Sequence, residues 1–237
     1  MVLPCDIIDF HSHILPRLDH GCDNLDECIR QLALIQENGT NISVATPHFY
    51  PHQHNIEQFV KDVDMAIDRM QAAGITQAPS IAIGAEVLLC RNIHHMADFE
   101  MLCIRGTRTL LLELPLKPLT DEHFATVEQI MDGGYTVLLA HIDRYLADFE
   151  DHIDTLLSMG ALAQVNAVSL SSRATRKKIF GYLEDSDNIC AIGSDLHGVD
   201  TGAYKKFVKA QKVLKDHYTA VMQRSANLLE GAELLKL

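Results

Sequence analysis

Basic side chains are scarce in this chain of 237 residues: 20 lysines and arginines face 32 aspartates and glutamates, a formal charge of -12 with histidine counted neutral. The deficit argues against nonspecific binding to nucleic acid or to an anionic membrane, since both reward a basic surface. It would also repel an anionic substrate, unless bound cations reverse the sign locally. Cysteines are few and scattered (Cys5, Cys22, Cys28, Cys90, Cys103 and Cys190), with no Cys-x-x-Cys pair. That pattern opposes a disulfide framework and predicts reduced, buried thiols. No window approaches the roughly 20 apolar residues of a membrane span. The opening Met-Val-Leu-Pro-Cys-Asp lacks the basic segment and apolar run of a signal peptide. A cytoplasmic protein without membrane insertion is expected. No linker-like, low-complexity or repeated segment breaks the chain, so one domain over residues 1–237 is expected.

Against these absences stands a regular alternation. Short β-rich runs at 7–11, 42–46, 80–86, 109–113, 136–141, 162–166 and 189–194 are separated by longer amphipathic stretches. Most of the runs are continuously apolar, as strands covered on both faces should be. Leu25, Ile29, Leu32 and Ile35 recur at helical spacing over 25–38, and Gly39 follows as a C-terminal stop. Helices over 59–73 and 151–159 end similarly at Gly74 and Gly160, and Thr120 or Asp121 caps one running to Met131. The tail from Ala203 to Leu237 reads as helical and as a cover for one end of the fold. The pattern predicts an α/β fold, a parallel (β/α) barrel one strand short of eight, with an open doubly wound sheet as the alternative.

Histidine and carboxylate then mark one end of that barrel. His11, His48 after Thr46-Pro47, Glu86, Glu113, His141 and Asp195 each fall at or just past the C-terminal end of a different predicted strand. Such barrels assemble their chemistry at that end. His11 and His13 share one face of an extended segment and give a fixed bite for a metal; taken alone, they read equally well as a pair closing a strand end. Asp9 would share that face and orient a ligand from behind. Glu86 and Glu113 end apolar runs, and a buried carboxylate needs a cation, a proton or several donors. Each alone suits an ion pair at the rim; both together with the histidines suit a metal. Asp195-x-His197 mirrors the first cluster. Arg144, three residues past His141, offers a fork suited to phosphate or carboxylate, against the plainer reading of a surface pair with Asp143. His52, His54, His94, His95, His123, His152 and His217 carry no such context and read as surface or packing residues.

In this order the segments resemble the polymerase-and-histidinol-phosphatase (PHP) superfamily. More narrowly, they resemble its manganese-dependent bacterial protein-tyrosine phosphatases of capsule and exopolysaccharide assembly. The matching runs are Asp9-Phe10-His11-Ser12-His13-Ile14-Leu15-Pro16, Ala45-Thr46-Pro47-His48-Phe49, Gly84-Ala85-Glu86-Val87, Leu112-Glu113-Leu114-Pro115, Ala140-His141-Ile142-Asp143-Arg144-Tyr145, Gln164-Val165-Asn166-Ala167 and Ser194-Asp195-Leu196-His197.

The resemblance implies a distorted seven-stranded barrel of the PHP type holding three divalent ions, manganese foremost, with iron and zinc as alternatives. His11, His13, Glu86 and Asp195 would hold one ion. Glu86 would bridge to a second, shared with Glu113 and His141. His48, His197 and His20 would hold the third, with Asp19 in reserve, and Arg144 would grip the phosphate as the catalytic side chain. Two departures stand out. Asp19-His20-Gly21 replaces the usual Asp-Asp-Gly, and no second phosphate arginine follows His197 in Gly198-Val199-Asp200-Thr201-Gly202, so Arg173 is the remaining helper.

The implied activity is phosphomonoester hydrolysis of a phosphotyrosyl protein, a cognate bacterial tyrosine kinase. It needs no thiol, and none of the six cysteines has the Cys-x5-Arg spacing of thiol phosphatases. The rivals are a phosphoesterase for a small substrate such as histidinol phosphate, and a metal-binding regulatory relative without turnover. An amidohydrolase is disfavoured because no predicted strand end offers a lysine to be carbamylated. Self-association into a homo-oligomer stays open.

Overall fold

A computed structural model describes residues 2–3 and 6–237. In it, β1 (Ile8–Ser12), α1 (Leu25–Glu37), β2 (Ile42–Ala45), β3 (His48–Phe49), α2 (Ile56–Ala72), β4 (Ser80–Ile83), β5 (Glu86–Leu88) and β6 (Thr109–Glu113) form the first half. The second half comprises α3 (Asp121–Asp132), β7 (Thr136–Leu139), α4 (Glu150–Ser158), β8 (Leu162–Asn166), α5 (Arg173–Asp185), β9 (Ile189–Gly193), α6 (Thr201–Leu214), α7 (Asp216–Leu228) and β10 (Leu234–Leu235). The strands run parallel except β10, in sheets ordered β1-β2-β4-β10 and β3-β5-β6-β7-β8-β9. Their inner residues are buried on both faces, and the apolar core is one continuous cluster.

The strand count departs from seven because two runs are kinked. Pro47 has no N–H to donate, which ends β2 at Ala45 and restarts pairing at His48. Its neighbour breaks at the same level: Gly84 and Ala85 separate β4 from β5, while Gly84 N donates to Ala45 O (2.9 Å) and Glu86 N to Pro47 O (3.0 Å). The kinked pair thus links the two sheets. Across the other gap, Asp195 N donates to His11 O (2.8 Å) and His13 N to Leu196 O (3.1 Å).

Local chemistry sets the helix ends. Asn24 caps α1 by accepting from Glu27 N at 3.0 Å, and Cys28, Gln31, Leu32 and Ile35 form its buried face. Asn55 caps α2, accepting from Gln58 N, so that helix starts three residues before the expected Phe59. Thr120 caps α3, and His123 Nδ1 accepts from its backbone N–H at 3.0 Å.

The tail corrects the sequence reading. Its helix is broken at Lys215, whose φ is 51°, and stops before Gly231 at φ 84°. The last residues instead add β10 antiparallel to β4, pairing Leu234 with Ala82 and Leu235 with Ile81. α5 had no counterpart among the expected helices, because only Ile179 and Leu183 are buried in its polar sequence. Among the described residues, Cys22, Cys28, Cys90, Cys103 and Cys190 are free and all but Cys90 are buried; Cys5 lies outside the described residues. No described helix is long and apolar enough to cross a membrane.

Candidate metal centre

The carboxyl ends of the strands converge on Glu86. Its side chain is fully buried, and its two oxygens face different imidazoles. Oε1 lies 2.7 Å from His141 Nε2. Oε2 lies 2.9 Å from His48 Nδ1, 3.2 Å from His11 Nε2 and 3.4 Å from His13 Nε2. Asp195 Oδ1 is 3.4 Å from His13 Nε2, 3.7 Å from His11 Nε2 and 3.5 Å from His197 Nδ1. Glu113 Oε1 is 3.7 Å from His141 Nε2.

Four overlapping groups therefore have metal-ligand spacing: His11, His13 and Asp195; His11, Glu86 and His141; His48, Glu86 and Glu113; and His13, His48 and His197. They bring together eight of the nine expected ligands. His20 belongs to none of these groups. It is exposed, with its ring stacked 4.6 Å from that of His197 and 5.0 Å from that of His48.

Electrostatics fits a cation here. Burial alone would push the Glu86 carboxyl up, but the surrounding His11, His13 and His141 hold it well below the usual carboxylate range. Glu113 moves the other way, raised by burial and then by Glu86. Despite burial, His13 is raised well above an ordinary imidazole by Asp19, Asp195 and Glu86. His197, buried and beside His13, is brought down to about 4. Glu86 Oε2, His48 Nδ1 and His197 Nε2 are buried without any hydrogen-bond partner. Unpaired buried polar atoms are costly, and carboxylates that repel one another need a shared positive charge. The mixed imidazole–carboxylate donor set fits divalent ions.

Backbone strain concentrates at the same place. His141 (φ 31°) and Asp195 (φ 53°) are held in the left-handed region, which β-carbon-bearing residues seldom occupy. Gly193 has to be glycine, since a Cβ there would lie 2.5 Å from His11 Cβ. Arg144 sits in the turn Ile142–Arg144, anchored by Tyr145 Oη donating to Leu114 O at 2.5 Å. At the rim the Arg144 guanidinium donates to Asp195 Oδ2 and lies 4.0 Å from Glu113 Oε1.

The supporting residues are not those expected. Asp9 does not orient His11: its Oδ1 accepts from Ser194 N at 2.7 Å, and burial pushes its carboxyl up to about 6. Gln164 takes that role, its Oε1 standing 3.3 Å from His11 Nδ1 and accepting from His141 N at 2.6 Å. Gln164 Nε2 donates to Asn166 Oδ1, and Asn166 Nδ2 donates to Asp195 Oδ2 at 2.8 Å. Asp19 stands behind His13, 2.7 Å from Nδ1, and also accepts from Gly21 N and His48 N. Gln164 and Asn166 were visible as polar residues in an apolar strand, the signal that had marked Glu86. His54 and His123, set aside as packing residues, accept from the backbone of Tyr50 and Thr120. Arg173 lies away from this cluster, at the start of α5.

Fold and site together define an α/β protein with a candidate polynuclear metal centre. The chain belongs to the CpsB/CapC family of capsular polysaccharide synthesis, whose family model matches residues 7–235. It is 24% identical over 239 residues to the tyrosine-protein phosphatase YwqE of Bacillus subtilis, covering 97% of this chain and 91% of YwqE. It is 25% identical over 215 residues to tyrosine-protein phosphatase CpsB of Streptococcus pneumoniae, covering 82% and 84%. In fold it is similar to a crystal structure from work on YwqE from Bacillus subtilis and CpsB from Streptococcus pneumoniae, described as metal-dependent tyrosine phosphatases, with a TM-score of 0.76, 21% identity and 97% of each chain covered. A 2-pyrone-4,6-dicarboxylic acid hydrolase from Acinetobacter baumannii shares the fold more distantly, with a TM-score of 0.50 and 13% identity over 95% of this chain and 99% of that one.

Proposed function

We propose that the chain is a metal-dependent phosphomonoesterase, a protein-tyrosine phosphatase of the cytoplasm whose substrate is a cognate bacterial tyrosine kinase of polysaccharide synthesis. The observation that carries this reading is Glu86, a buried carboxylate whose two oxygens address separate imidazole sets. The relatives named tyrosine-protein phosphatase support it, since they match nearly this chain's whole length.

In this reading His11, His13, Glu86 and Asp195 hold one ion, Glu86, Glu113 and His141 a second, and His48, His197 and His20 a third, with manganese as the native metal. The fold is a single domain, a distorted seven-stranded barrel: taking β2 with β3 and β4 with β5 as two kinked staves leaves seven around the ring. The backbone bond from Asp195 to His11 supports its closure.

Divalent ions held there would supply activated water and neutralise phosphate charge. The chain's own side chains do the rest. Arg144, at the rim between Asp195 and Glu113, turns its fork to the non-bridging phosphate oxygens. Gln164 and Asn166 keep His11 and Asp195 in orientation. Water adds to phosphorus as the tyrosyl oxygen departs, and a phenolate of pKa near ~10 is a fair leaving group that needs little protonation. No thiol nucleophile takes part.

The test is chelation of the purified protein followed by manganese, with p-nitrophenyl phosphate hydrolysis and metal content measured together. Activity should vanish and return with the metal. Hydrolysis that persists in metal-free protein overturns the proposal.

A further inference from the structure

The acidic excess of the chain stops at one place. Arg173, Arg176 and Lys177 on α5 and Lys206 and Lys209 on α6 line two neighbouring cavities of about 330 and 110 Å³ that share Arg176. On α5 the spacing of Arg173, Arg176, Lys177 and Phe180 puts one stripe on one helix face, and Lys206, Lys209 and Val213 do the same on α6. The ion pairs of this region use other cations, Lys178 with Glu150 and Arg224 with Asp187, so among the described residues these five have no carboxylate partner. Arg176 donates to Leu170 O at 2.8 Å, which leaves its charge uncompensated.

A solvated helix face ordinarily mixes both signs. Five unpaired cations in a concave surface, on a chain of charge -12, do not fit that description. The floor of the groove is the turn Ala167–Ser171, which begins where Asn166 reaches Asp195 and is tied down by Ser169 Oγ donating to Asp143. The groove therefore leads away from the mouth of the metal centre.

We propose that this groove is a docking site for an acidic segment of the protein substrate beside its phosphotyrosine. The inference rests on the phosphatase reading. The phosphate itself belongs to the centre and Arg144, so cations beyond the mouth call for further negative charge on the same partner. A peptide fits the cavities better than a membrane does, because the charges line recesses around Phe180 and Val213 instead of one flat plane.

The test compares the manganese-loaded protein with the triple variant K177E/K206E/K209E. Three substrates are used: a fluorescein-labelled peptide with glutamates flanking one phosphotyrosine, the same peptide with serines for the glutamates, and p-nitrophenyl phosphate. The variant should lose on the order of 10-fold in kcat/KM on the acidic peptide, through KM, and nothing on the other two. In the wild type, salt should raise KM for the acidic peptide alone, a comparison that stands even where the variant does not fold. Equal losses on both peptides, or none, overturn the proposal. If neither protein hydrolyses any substrate, the phosphatase reading fails instead, and fluorescence anisotropy of the acidic peptide still decides: binding weakened in the variant supports the groove, and unchanged binding refutes it. Sedimentation with phosphatidylserine vesicles that the variant loses, alongside unchanged peptide kinetics, would assign the patch to a membrane and overturn the peptide proposal.

Discussion

The two ends of the strands solve opposite problems with the same backbone. At the amino end, buried polar groups are few and paired. Thr109 Oγ1 donates to Leu228 O, Ser225 Oγ donates to Cys190 O, and Thr40 and Tyr204 share a hydroxyl bond of 2.6 Å. There α7 and β10 cover the sheet, and burial does nothing but stabilise. At the carboxyl end, imidazoles and carboxylates are buried with orphaned atoms, and two ligands sit in strained backbone. Groups arranged that way cost stability unless something binds among them. The rest of the fold holds them in place.

Glu86→Gln attacks this contrast hardest. An amide cannot bridge cations, so turnover should fall by at least about 10³-fold, several kcal/mol of charge stabilisation being lost. Metal content should fall with it, while the melting curve keeps its shape. A variant that retains full metal content and turnover would remove Glu86 from the centre. Leu110→Ala, in the apolar layer, should do the reverse. A fully buried leucine truncated to alanine destabilises by about 2–5 kcal/mol, with turnover per folded molecule and metal content unchanged. Arg144→Ala should keep the metal and lower turnover by about 10²–10³-fold; equal loss of metal would make it a structural residue.

How far the sequence foretold this contrast depends on the residue. Thr109–Glu113 and Leu162–Asn166 match their predicted bounds because apolar runs between turn residues leave little choice of register. His48 and Glu86 were expected to end strands and instead begin short ones. The break at Pro47 was legible; the matching break at Gly84 depends on Ile104, whose Cγ1 a Cβ would approach to 3.0 Å. Such tertiary crowding leaves no local trace. Likewise, choosing Gln164 over Asp9 as the partner of His11 requires knowing that β8 lies beside β9, next to β1.

Gln164→Ala tests that support at a smaller scale. Removing a group that orients a metal-binding histidine typically costs about 10–100-fold in metal affinity, and this one also accepts from His141 N. The measurement is competition with a chelator of known affinity. An unchanged affinity would mean that His11 is held by packing against Gly193 alone.

The smallest expected effect lies at the far end of the molecule, where strain serves no ligand. Lys215 joins α6 to α7 with φ 51° and ψ -121°, exposed. That conformation suits glycine and costs another residue about 1–3 kcal/mol. Glycine gives back about 0.5–1 kcal/mol through the greater freedom of its unfolded chain. Lys215→Gly should therefore raise stability by about 1 kcal/mol, a shift of about 2–4 °C in the thermal midpoint for a chain of this size. Metal content and turnover should not change. The same relief is not open to His141 or Asp195, because glycine there would remove the ligand along with the strain. If Lys215→Gly lowered the midpoint instead, the joint would not be strained, and backbone strain would no longer distinguish a residue kept for chemistry from one that merely turns the chain.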